Sequence, residues 1–131
     1  MILSRVTLAA GLLAATAAYA HETTGQHGGR VADAGKFHVE LVAKGETVDV
    51  FVSDEGQKPV PAAGFKGTAI LVVGGKPTRV PLEPADGNRL TGKAAAALGD
   101  SPKGAVQLTG PDGATASGKF NCPHAPGRIL R

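Results

Sequence analysis

The feature that most constrains this chain is a period of two. Phe37-His38-Val39-Glu40-Leu41-Val42 puts Phe37, Val39 and Leu41 on one side of an extended strand and His38, Glu40 and Val42 on the other. A few residues later, Thr47-Val48-Asp49-Val50-Phe51-Val52 repeats the pattern, with Val48, Val50 and Val52 on one face. The residues between leave room only for a tight hairpin, either a two-residue loop at Lys44-Gly45 or a four-residue loop over 43–46. Both set Leu41 opposite Val48 and Val39 opposite Val50, so the apolar faces coincide; a slip by one residue would send a valine face to water. In that register His38 lies opposite Phe51 and Glu40 opposite Asp49, on the outer, solvent-facing side.

The rest of the chain keeps the same rhythm of short apolar runs cut by Gly, Pro and Asp. Residues 67–73 are nearly continuous in apolar side chains, which predicts a central strand. Gly74-Gly75 turns the chain into residues 78–82, where Pro81 argues for an edge position. Residues 88–91 add a short strand, and 94–98 fit a helical turn ended by Gly99. Residues 105–109 and 114–120 form a last hairpin around Gly110-Pro111-Asp112-Gly113. About seven short strands predict an all-β domain over residues 30–120: a small antiparallel β-sandwich of immunoglobulin-like size, with a small β-barrel as the alternative. Residues 21–29 are polar and Gly-rich and read as a flexible leader, and 121–131 as a tail without pattern.

The first twenty residues have a different character. Arg5 is followed by an apolar, uncharged run from Val6 to Ala18, and Ala18-Tyr19-Ala20 supplies the small residues of a signal-peptidase site. The run is about 13 residues long, short of the roughly 20 that a spanning helix needs. We therefore expect residues 1–20 to be a cleaved signal peptide and the product to be periplasmic or secreted, with no membrane span. Of fourteen basic residues only Arg5 lies in that segment, leaving the exported part with a small positive charge against eleven acidic residues. The charges are scattered, and with no Trp and four Phe there is no stacking surface for nucleic acid. Cys122 is the only cysteine, so no intramolecular disulfide can form.

Catalytic signatures are missing. There is no G-x-S-x-G elbow and no H-E-x-x-H, and Gly75-Lys76, Gly92-Lys93 and Gly118-Lys119 lack the Ser/Thr and upstream glycine of a phosphate loop. The chain reads as a non-enzyme. Its histidines are more telling: His21, His27 and His38 fall within eighteen positions. Cleavage after Ala20 makes His21 the N-terminal residue, whose α-amine (pKa about 8) and imidazole can chelate one ion. His27 adds a third nitrogen, and Glu22, Glu40 and Asp49 offer oxygen. Such a set suits copper or zinc. Each residue has a plainer reading as well: His21 terminal by accident of processing, His27 simply solvated, His38 and Glu40 a cross-strand polar pair. Cys122 and His124, two residues apart, form a second candidate ligand pair, with an intermolecular disulfide as the competing role for the thiol.

His27-Gly28-Gly29-Arg30-Val31, followed by Phe37-His38-Val39-Glu40-Leu41, resembles the small N-terminal β-domain of periplasmic adaptor subunits of heavy-metal efflux pumps and their stand-alone exported relatives. Gly56-Gln57-Lys58-Pro59 and Leu90-Thr91-Gly92 look like further elements of that pattern, so the likeness spans roughly residues 26–120. It implies a β-sandwich linked to divalent-metal or copper handling, with His27 as the position to test first. The adaptors' helical hairpin and lipoyl-like domains are missing, so the implied role is accessory: binding, buffering or delivering copper or divalent ions, with a membrane efflux component as the implied partner. The alternative is a metal-independent interaction module of an envelope or efflux complex.

Overall fold

The computed structural model describes residues 23–99 and 101–120, and all regular structure among them is β-strand. Nine strands follow one another: β1 (Thr23–Thr24), β2 (Arg30–Ala34), β3 (Phe37–Lys44), β4 (Thr47–Ser53), β5 (Lys66–Val73), β6 (Lys76–Pro84), β7 (Arg89–Lys93), β8 (Gly104–Thr109) and β9 (Thr115–Phe120). Every pairing is antiparallel, in the order β1-β2-β3-β4-β7-β6-β5-β8-β9. The sheet folds at β6, which pairs with β5 along most of its length and with β7 only at Glu83 and Pro84. Its far end then returns to β2: a Cβ on Gly118 would lie 2.9 Å from Val39 Cγ2 and 3.2 Å from the Asp33 carbonyl. The result is a nearly closed barrel, a sandwich whose two layers share a strand. The expected all-β class holds, and the two architectures expected as alternatives meet in this shape.

The period of two decides which side chains go inside. Val39 and Leu41 on β3, Val48, Val50 and Val52 on β4, Leu90, Ala69, Leu71, Val80, Leu82, Val106, Leu108 and Phe120 are all at most 3 % exposed. Each such valine, leucine or phenylalanine stabilises the fold by roughly 1.5–3 kcal/mol through removal from water. Phe120 is the largest fully buried side chain among the described residues. The Arg30 guanidinium lies 5.4 Å from its ring centre and donates to the Pro102 carbonyl, joining β2 to the other layer. Phe37 and Phe65 meet edge to face at 5.3 Å near the opposite end of β2.

Four expectations need correction. The β3–β4 hairpin turns at Gly45-Glu46, not Lys44-Gly45, so Leu41 faces Val50 and Val39 faces Val52. Gly45 has φ 59°, the left-handed value that a two-residue turn with glycine first requires. The shift is two residues, so the apolar faces stay inward, but His38 now opposes Ser53 and Glu40 opposes Phe51. Residues 94–98 are not helical. The Ala94 and Leu98 amides bond to the Glu46 and Gly45 carbonyls at 2.7 and 2.8 Å, strapping the segment across the hairpin tip. Pro81 sits in an interior strand, at a point where the ladder to β7 has not begun. Finally, the expected flexible leader is folded from Thr23 on, with β1 paired to Arg30 and Val31. The signal-peptide reading of 1–20 and the tail 121–131 lie outside the described residues.

Candidate functional site

The site is built on the outer face of β2, β3 and β4 around one carboxylate. Glu40 is the only buried polar or charged residue in the described core, at 6 % exposure. Strand parity points it outward, so it can be buried only if something covers it. The cover is the turn between β1 and β2. Gly28 N bonds to Gly25 O at 3.1 Å and Gly25 N to Gly29 O at 2.9 Å, closing a three-residue loop of Gln26, His27 and Gly28, with Gly28 at φ 79°. A turn followed by a left-handed glycine is a common three-residue hairpin loop.

That loop delivers three donors to Glu40. The His27 and Gly29 amides donate to Oε2 at 2.8 and 2.7 Å, and His27 Nδ1 lies 2.9 Å from Oε1. The His27 ring stacks on Phe51, the cross-strand neighbour of Glu40, with centroids 3.6 Å apart and planes 5° from parallel. Two glycines permit the approach: a Cβ on Gly25 would sit 2.3 Å from the Glu40 carboxyl carbon, and one on Gly29 2.3 Å from the Leu41 carbonyl oxygen. His27-Gly28-Gly29 is therefore a shape requirement as well as a string of residues.

The chemistry of the arrangement follows from the acceptor. An ionised carboxylate only accepts, so a neutral His27 ring bonded to it carries its proton on Nδ1 and leaves the Nε2 lone pair free. The side chain is 42 % exposed. A carboxylate fixing one ring nitrogen while the other is offered outward is how metal-binding histidines are usually oriented.

The other expected ligands fall as follows. His38 lies on the same face, in the adjacent row of residues, about 7 Å along the strand from Glu40. Its Nδ1 is 2.8 Å from Asp33 Oδ1 across the β2–β3 ladder, so its polar partner is Asp33 and not Glu40. Glu40 is not the exposed oxygen ligand expected: both its oxygens are taken, and its part is to hold His27. Asp49 accepts from Thr91 Oγ1 at 2.7 Å and from Arg89 Nη1 at 3.2 Å, a cationic neighbour that opposes a second cation there. Arg89 also bonds Asp86 Oδ1 through Nη2 at 2.6 Å and Nε at 3.0 Å. The hydrogen bond from Arg89 holds the Asp86 carboxyl below its ordinary 3.8, and the same bond raises Arg89. His21, Glu22, Cys122 and His124 lie outside the described residues. Among the described residues, no three His, Cys, Asp or Glu side chains are grouped to hold a metal ion. Asp33 was not singled out by the sequence, and Phe51 was placed on the outer face but opposite His38 instead of Glu40. The available signal was an acidic residue inside an apolar alternation with glycines at 25 and 29 flanking a histidine.

Compared with protein-family models, curated proteins and solved structures, the chain gives no match.

Proposed function

We propose that this chain is an exported, periplasmic, non-enzymatic metal-binding protein that takes up a copper or zinc ion, as an accessory to heavy-metal efflux or copper handling. The observation carrying this reading is the Glu40–His27 pair: a buried carboxylate at 2.9 Å from Nδ1, an aromatic ring stacked on the imidazole plane, and a His27 side chain that is still 42 % exposed. His27 is the anchor ligand. The amine and imidazole of His21, six positions earlier in sequence, and His38 in the neighbouring row are the proposed further nitrogen donors. Cys122 with His124 forms the second proposed pair. The likeness to adaptor N-terminal domains supports the assignment to metal handling, because His27-Gly28-Gly29 and Glu40 are the residues that build this loop.

The test is native mass spectrometry of protein recovered from the envelope. The reading expects an N-terminus at His21 and about one equivalent of Cu(II) or Zn(II). It also expects His27→Ala, or one extra residue before His21, to weaken uptake by tenfold or more. No binding of Cu, Zn, Ni or Co at micromolar concentration contradicts it. A second reading, a metal-independent interaction module, is favoured by one observation: every contact Glu40 makes also serves simply to pin the loop. Under that reading His27→Ala loosens residues 25–29 and leaves partner capture intact in the presence of a chelator.

A further inference from the structure

The second layer has an outer face that the metal reading does not use. Ala69 and Leu71 point inward on β5, so Ile70 and Val72 point out. Val72 is 43 % exposed, the one large apolar side chain standing open to solvent in the described chain. The register arranges its neighbours in two rows. One runs Arg79–Ile70–Ala105–Lys119 across β6, β5, β8 and β9. The next carries Pro77 opposite Val72, with the Val72 amide bonded to the Lys103 carbonyl at 2.8 Å on the other side. Arg79, Lys103, Lys119 and Pro77 are exposed. Three cations thus flank an apolar strip of Pro77, Val72, Ile70 and Ala105, and no described Asp or Glu stands in either row.

We propose that this face docks on an anionic bilayer surface, its cations meeting lipid phosphates and Val72 and Pro77 entering between headgroups. Arg79 and Lys119 terminate one row three strand spacings apart, about 14 Å. A mobile headgroup layer adapts to that separation and has room for the apolar strip between the charges, whereas an acidic protein would need carboxylates at matching positions. The outer face of the opposite layer differs: it carries the His27 loop, and its Asp33 and Asp49 lie beside His38 and Arg89.

Each basic residue near an anionic surface contributes about fivefold to partitioning, so three give a weak, salt-sensitive attachment. The experiment is co-sedimentation of the exported protein with vesicles of phosphatidylglycerol and phosphatidylcholine, and with phosphatidylcholine alone. We expect binding to the anionic vesicles only, falling steeply between 0.05 and about 0.5 M NaCl. Arg79→Gln with Lys119→Gln should lower it about 25-fold, whereas Lys44→Gln with Lys93→Gln, the same charge change on the other layer, should leave it within about twofold. Val72→Ser should weaken it at constant charge. Equal loss from both double variants, equal binding to neutral vesicles, or binding to poly-glutamate but not to vesicles would each overturn the proposal.

Discussion

Glu40→Ala tests the keystone of the His27 loop. The carboxylate accepts from two part-buried backbone amides and one ring nitrogen, at 2.8, 2.7 and 2.9 Å. If the loop stayed down after truncation, two amides would be left without acceptors, at about 1–3 kcal/mol each. The loop has another way out: it can lift, hydrate its amides and give up only its docking energy. That energy comprises the charge-assisted bonds, the His27–Phe51 stack at about 0.5–1.5 kcal/mol and the short β1–β2 ladder. The smaller of the two penalties prevails, which sets the expected destabilisation at about 2–4 kcal/mol. Glu40→Gln keeps one oxygen for the two amides and loses the charge, so about 1–2 kcal/mol is expected. Urea unfolding reads both, since a loss of 3 kcal/mol moves the midpoint by about 2 M at a slope of about 1.5 kcal/mol/M. Hydrogen exchange at the His27 and Gly29 amides should rise in Glu40→Ala well beyond the global change. A variant within about 0.5 kcal/mol of the parent, with both amides still protected, would refute the reasoning.

Other outcomes follow from the same geometry. Gly29→Ala should release the loop without unfolding the barrel, because the new Cβ meets the Leu41 carbonyl oxygen at 2.3 Å; loss of the His27–Phe51 ring contact by NMR checks it. Gly92→Ala places a Cβ 2.3 Å from the Pro81 carbonyl and 2.9 Å from Val80 Cγ1, where β6 and β7 converge, and should lower stability by about 1–3 kcal/mol in urea melts. Phe120→Ala, at the fully buried end of β9, should cost about 3–5 kcal/mol by the same assay. Asp86 has its carboxyl pKa lowered by Arg89, so its contribution is fully present above the unfolded value near 3.8 and fades as pH falls through the lower folded value. Asp86→Asn should therefore melt below the parent at pH 7 and converge with it as acid protonates the Asp86 carboxyl in the folded state.

What the sequence disclosed was set by alternation. Phe37–Val42 and Thr47–Val52 required a hairpin with valines inward, and a one-residue move of the turn shifted the register by two and left every face correct. Pairing partners were less legible, because Lys44-Gly45 and Gly45-Glu46 satisfy the same alternation and only the left-handed φ of Gly45 separates them. That small offset moved Phe51 from His38 to Glu40 and so concealed the site. β2 was missed because Arg30-Val31-Ala32-Asp33-Ala34 has a single large apolar residue, and its strand is held by the ladder to β3. His27 was legible as a candidate from its setting between Gln26 and two glycines. Its partner was not, because a glutamate on the polar side of an alternating strand gives no sign that a loop returns to bury it.

The most direct test is the protonation pattern of the His27 ring, read by long-range ¹H–¹⁵N NMR before and after addition of Zn(II). The account predicts a proton on Nδ1, bonded to Glu40, in the neutral metal-free ring and a metal-induced shift at Nε2, with Nδ1 unchanged. A neutral ring protonated on Nε2, or an Nε2 resonance indifferent to saturating zinc, would contradict it.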